Sequence, residues 1–204
     1  MKKKFLSLML AMAMVLGLAA CGGQEESTGD TSGDTADNTA SEAPAEGTAF
    51  KLGGTGPLTG GAAIYGNAAY RGAQIAVDEI NAEGGAIQFD LRYEDDQHDA
   101  EKAVNAYNIL KDWGMQISLG SVTSKPCEAT AAETYADRIF ALTPSASSTA
   151  TTEGKDNMFQ MCFMDPNQGS ASAQYISEKG LGSKIAIIWK NDDVYAKGIH
   201  DTFV

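Results

Sequence analysis

Residues 50–93 read FKLGGTGPLTGGAAIYGNAAYRGAQIAVDEINAEGGAIQFDLRY, and this stretch decides the fold. Phe50 to Gly54 is a short apolar run that opens into the Gly/Thr/Pro loop Thr55–Gly61, the signature of a strand ending in a turn. Tyr65 to Ala82 then repeats apolar residues at helical spacing, with Ile75, Ala76 and Ile80 on the predicted inner stripe. Ile87, Phe89, Leu91 and Tyr93 alternate with other residues, which is the period of a second strand. Strand, long helix, strand without a hairpin signal predicts a parallel crossover unit.

The same alternation continues downstream. Asp99 is placed to cap a helix running to Trp113, and Met115 to Leu119 reads as a third strand. Pro126 suits the start of a helix over Cys127–Arg138, followed by strands at Ile139–Thr143 and Met158–Phe163. Asp165-Pro166 reads as a break before a helix over Gly169–Lys179. Lys184 to Trp189 (KIAIIW) reads as a buried strand, and Tyr195 to Val204 as the start of another helix. The expected class is α/β, a doubly wound and mostly parallel sheet.

Outward from this region the chain changes character. Lys2 to Lys4 precede an apolar run, Phe5–Leu18, which is short for a membrane span, and Leu18-Ala19-Ala20 lead into Cys21. This resembles a bacterial lipoprotein signal: residues 1–20 would be removed and Cys21 lipidated, placing the protein outside the cytoplasm on the outer face of the cell membrane. Gly22 to Ala49 holds seven acidic residues, no basic ones and no aliphatic larger than alanine, so residues 21–49 are expected to be a disordered tether. The formal charge of -12 becomes more negative still once the three signal lysines are gone. An acidic surface with no basic stripe excludes nucleic acid as a partner. With Cys21 assigned to lipid, Cys127 and Cys162 remain as one possible disulfide. The two histidines, His98 and His200, lie far from them, and no metal site or cofactor is expected.

In parallel sheets, ligands bind beyond the carboxyl ends of the strands. Gly54–Tyr65, Gly120–Cys127, Thr143–Thr149 and Asn191–Tyr195 all fall there, rich in small and hydroxylated residues. Helix N-termini and hydroxyl donors suit a carboxylate, and tyrosine rings can cover an apolar body. The glycines after the first strand are spaced Gly54-x-Gly56-x-x-x-Gly60, which departs from the dinucleotide fingerprint. Ser124 has no GxSxG context and no adjacent base, which disfavours a serine hydrolase. Asp95-Asp96 and Asp192-Asp193 read as solvated strand-end charges, and His98 as a surface residue beside Asp99.

The segments GPLTGGAAIYG, RGAQIAVDEINAEGG, YEDDQHDAEKAV, LGSVTSKP, LTPSASS, MDPNQG and KIAIIWKNDDVYAKG together resemble the branched-chain amino acid binding proteins of ABC transporters, the type I periplasmic binding fold. The resemblance covers about residues 50–204 and implies a non-enzymatic receptor that closes two lobes on an amino acid and docks on a membrane permease. It further implies that Ser124 meets the ligand carboxylate. Ser145 would supply a carbonyl to the ammonium, and Ala146 would line the same loop. Ser147 stands where a threonine is usual, and Tyr65 and Tyr195 would be aromatic walls. On this reading residues 50–165 are lobe one, and 166–204 begin a lobe two that is incomplete, so a fragment of a longer chain is expected. A receptor of the same fold for an amide, urea or short peptide is the alternative, and a sensory module or an exported hydrolase using Ser124 are others.

Overall fold

The computed structural model describes residues 49–204; the signal-like segment, Cys21 and the acidic tether lie outside the described residues. Five strands form one parallel sheet in the order β2-β1-β3-β4-β5. They are β1 (Phe50–Gly56), β2 (Phe89–Asp95), β3 (Ile117–Ser121), β4 (Phe140–Thr143) and β5 (Met158–Gln160). The crossovers are α1 (Ala63–Ala82), α2 (Ala100–Asp112) and α3 (Ser124–Asp137); α4 (Asp165–Lys179) and α5 (Val194–Phe203) follow. In this order the chain reverses direction between β1 and β3, so the crevice beyond their carboxyl ends is the topological switch point.

Central β1 is lined by glycines because both faces are covered by large neighbours. A Cβ on Gly53 would stand 2.2 Å from Met115 Sδ, and one on Gly54 would stand 2.1 Å from Tyr93 Cε2. Tyr107, Leu110 and Met115 form the core on the first of these faces, with Trp113 and Ile139 packed against it. On the other face the Tyr93 ring lies 5.2 Å from Tyr70 of α1. A second cluster, Cys127, Ala131, Ala141, Ala146 and Met158, fills the space under α3.

The fold class is as expected, and several local expectations are corrected. The face that α1 turns inward runs through Gly66, Ala69, Tyr70, Ala73 and Val77, while Ile75 and Ile80 point outward. Small residues allow the closer approach to the sheet. Asn81 secures the helix end by exchanging hydrogen bonds with both the N–H and the C=O of Phe89. Asp165-Pro166 opens α4 instead of interrupting the chain, since proline in a first turn loses no helical hydrogen bond. Asp99 caps α2 as expected, its carboxylate accepting from Lys102 N–H at 3.0 Å.

The run Lys184–Trp189 forms no strand, and Ile188 is fully exposed. A buried parallel strand needs a paired neighbour and covered faces. Among the described residues no strand lies beside this run. Cys127 and Cys162 are both free thiols: burial pushes Cys127 up to about 11, and the Cys162 thiol donates to Ala146 C=O at 3.4 Å.

Candidate functional site

At the carboxyl end of β3 the chain turns through Val122 and Thr123 directly into α3. Ser124, at the first position of that helix, is buried, and its Oγ accepts the N–H groups of Ser147 and Ser148 at 3.2 and 3.3 Å. A hydroxyl that accepts twice still has its own proton to donate. The β4 loop is stitched to the β3 loop at further points. Ser145 Oγ donates to Val122 C=O at 2.5 Å, and Thr143 Oγ1 donates to Ser121 C=O at 2.7 Å while accepting Ala146 N–H. Ser148 Oγ donates a short hydrogen bond to Glu128. Beneath these loops, Thr55, Ser121 and Thr130 form a buried hydroxyl chain.

Ser124, Ser145, Ala146 and Ser147 are therefore brought together at one sheet edge, beside the first turn of α3, whose N–H groups lack helical partners. Tyr65, in the first turn of α1, and Tyr195, in the first turn of α5, are 63% and 45% exposed. The Tyr195 phenol is raised by burial, then by Asp165 and Tyr65. The ends of β3 and β4 together offer hydroxyl and amide donors. An apolar cavity of about 300 Å³ under α1 is lined in part by Ala68, Gly72, Leu119, Leu142 and Pro144, the residue before Ser145.

Several residues around the site were not singled out from the sequence. Asp165 is 1% exposed, its N–H donates to Ser147 C=O at 2.9 Å, and its Oδ2 has no hydrogen-bond partner. Burial raises its carboxyl above the ordinary range. The pair Asp95-Asp96 is not a solvated strand end. Asp95 organises the first loop, accepting from Leu58 N–H, Thr59 N–H, Thr59 Oγ1 and Gln97 N–H. Burial opposes its charge, but the Thr59 hydroxyl and the three amides outweigh it and hold the carboxyl low.

Asp96 is fully buried, with one oxygen accepting His98 N–H at 2.9 Å and the other unpartnered. Burial pushes it up to about 6, with Asp95 adding to the rise against the His98 amide. The folded state therefore holds a proton on Asp96 more tightly than the unfolded chain does. Stability from this group falls as pH rises from about 4 to 6 and is then flat, a change on the order of 2–3 kcal/mol. Asp96→Asn keeps an acceptor for His98 and removes the buried charge. Its denaturation midpoint is expected to exceed wild type at pH 7.5 and to converge with it near pH 4. An equal difference at both pH values would contradict this.

His98 is not merely a surface residue beside Asp99. Its Nδ1 lies 2.9 Å from Thr123 Oγ1 and its Nε2 3.5 Å from Asp193. Among the described residues no histidine nitrogen is paired with Ser124. The signals for Asp96, Asp165 and His98 were not local. They depend on which loops the topology brings together.

The chain has relatives among both known sequences and solved structures. The chain is 30% identical to the Leu/Ile/Val-binding protein BraC3 of Rhizobium johnstonii over 164 residues, covering 79% of this chain and 44% of that protein. It is 33% identical over 154 residues to an amino acid binding protein of Pseudomonas aeruginosa, covering 74% of this chain and 41% of that protein. Among solved structures, it matches the branched-chain amino acid transporter substrate binding protein LivJ of Streptococcus pneumoniae, solved with isoleucine. That match has a TM-score of 0.72 and 32% identity, covering 76% of this chain and 46% of that one. The chain thus spans less than half the length of the relatives it matches. With a periplasmic binding protein family model matching residues 49–204, the chain belongs to the periplasmic binding protein family.

Proposed function

We propose that this chain is part of an extracytoplasmic solute receptor that binds an aliphatic amino acid between two lobes and delivers it to the permease of an ABC importer, with no chemistry of its own. The observation that carries the reading is the Ser124 hydroxyl at the N-terminus of α3. It is locked by the Ser147 and Ser148 amides at the switch point of the sheet. A carboxylate there meets hydroxyl and helix-end N–H donors, as anions do at helix N-termini. The names of the relatives and the isoleucine held by LivJ support an amino acid as the ligand. Residues 50–165 serve as lobe one and 166–204 as the start of lobe two, with closure driven by contacts made on both sides. Lipidation of Cys21 would hold the receptor at the outer face of the membrane.

Tyr195→Ala is expected to weaken isoleucine binding about tenfold or more through lost aromatic cover, with little change in unfolding midpoint because the ring is half-exposed. Calorimetric titration and thermal melts of the two proteins check this. Unchanged affinity would remove Tyr195 from the site. Titration with acetamide, urea and dipeptides decides between an amino acid and the alternative solutes.

A further inference from the structure

One side chain touches the caps of both helices that border the cleft. His98 sits in the β2–α2 loop with φ of +61°, beside Gln97 at +51°, a left-handed conformation uncommon away from glycine. Its backbone is held there because the N–H groups of Gln97 and His98 donate to the Asp95 and Asp96 carboxylates at 3.0 and 2.9 Å. The ring is thus aimed by the loop. Its Nδ1 meets the hydroxyl of Thr123, the N-cap of α3 and the residue before Ser124. Its Nε2 faces Asp193 Oδ2 at 3.5 Å; the other oxygen of Asp193 caps α5 by accepting the N–H of Ala196, the residue after Tyr195, at 3.0 Å.

We propose that His98 is a proton-sensitive strut across the cleft, holding the helix that carries Tyr195 toward the helix that starts at Ser124 more firmly when its ring is charged. This rests on the amino-acid receptor reading above. His98 is a positioning residue: it acts through Thr123 and Asp193 and not on the ligand. The charged form carries a proton on both ring nitrogens, so it donates to the Thr123 hydroxyl while its charge attracts the Asp193 carboxylate at 3.5 Å. The neutral form keeps only one N–H. Proton uptake therefore favours the closed arrangement, and ligand binding in turn favours proton uptake.

The charges around the ring come from its own loop and from four helices; on α2, Lys102 Nζ donates to Gln97 Oε1 beside His98. On its own loop Asp96 couples to it, with Asp95 and Asp99 on either side. On α3 the neighbouring charge is Lys125, which acts on Asp99. On α5 the contact is Asp193, and Asp165 at the start of α4 lies near it. Histidine changes charge between pH 5 and 8. Asp96, pushed up to about 6, also titrates in part above pH 6.5, and Asp96→Asn separates its contribution from that of the ring.

The test uses the protein at its full natural length with two readouts. In the ligand-free protein, hydrogen exchange of the Tyr195–Lys197 amides, corrected for intrinsic rates, is expected to be about threefold slower at pH 6.5 than at pH 8. Isoleucine affinity is expected to be about threefold tighter at the lower pH. Both ratios fall to one in His98→Gln and in Asp193→Asn, the latter retaining a good cap for α5. Ratios that persist in the two variants, or no ratio in wild type, would overturn the strut. An exchange ratio that depends on His98 without any isoleucine binding would support the strut and remove the amino-acid reading instead.

Discussion

Ser124→Ala is expected to weaken amino-acid binding by about a hundredfold, ~3 kcal/mol, the largest effect of any single substitution at the site. Two losses add. A hydroxyl that donates to a carboxylate contributes about 1.5–3 kcal/mol, as hydrogen bonds to charged groups do. The Ser147 and Ser148 amides also lose their common acceptor, which leaves two buried N–H groups to be satisfied by water or by movement of the loop. Part of the cost therefore appears in the free protein, as a lower unfolding midpoint. Titration calorimetry together with a thermal melt separates the two contributions. Affinity within a fewfold of wild type would show that Ser124 staples the loops and does not meet the ligand.

Gly66→Ala is expected to destabilise the fold by at least about 3 kcal/mol, although alanine is the better helix former by about 1 kcal/mol in an unconstrained helix. A Cβ at this position would lie 2.1 Å from Pro57 O, 2.7 Å from its C and 2.8 Å from its N. All three are backbone atoms, so no rotamer change relieves the overlap. The first loop would have to move, and that loop is held from the other side by Asp95 through Leu58 and Thr59. Asn67 adds a further tie, donating to Leu58 C=O at 2.9 Å. Urea denaturation measures the loss, and Gly72→Ala, where a Cβ meets nothing within 4 Å, supplies the control. Equal stability of the two variants would mean that α1 does not pack on the Pro57 backbone as described.

Much of the architecture was legible because it is written in local period. The alternation of short apolar runs with helical spacing over 50–163 gave five strands and three crossovers, with boundaries displaced by only a few residues. Residues whose meaning depends on their neighbours were harder. The apolar run Lys184–Trp189 has the composition of a buried strand, but burial is a property of what lies beside it, and no strand does among the described residues. Pro166 carries a local breaker signal, yet at a helix's first turn the same missing N–H is harmless.

The site divides in the same way. Hydroxyl-rich loops at strand ends could be read directly, and topology brings Ser124, Ser145, Ala146 and Ser147 together. The fully buried Asp96 and the His98 contact to Asp193 could not be read, since the two partners of that contact are 95 residues apart in the chain. An aspartate in the acidic strand end Glu94-Asp95-Asp96 looks solvated until the loops folded over it are known.

The most direct test is calorimetric titration of leucine, isoleucine, valine and alanine into the protein carried from residue 22 to its natural stop codon. The account predicts one binding site. Isoleucine, leucine and valine should bind at least about tenfold more tightly than alanine, since each buried methylene contributes about 0.8 kcal/mol. Absence of heat with all twenty amino acids, from protein that melts cooperatively, would contradict the account.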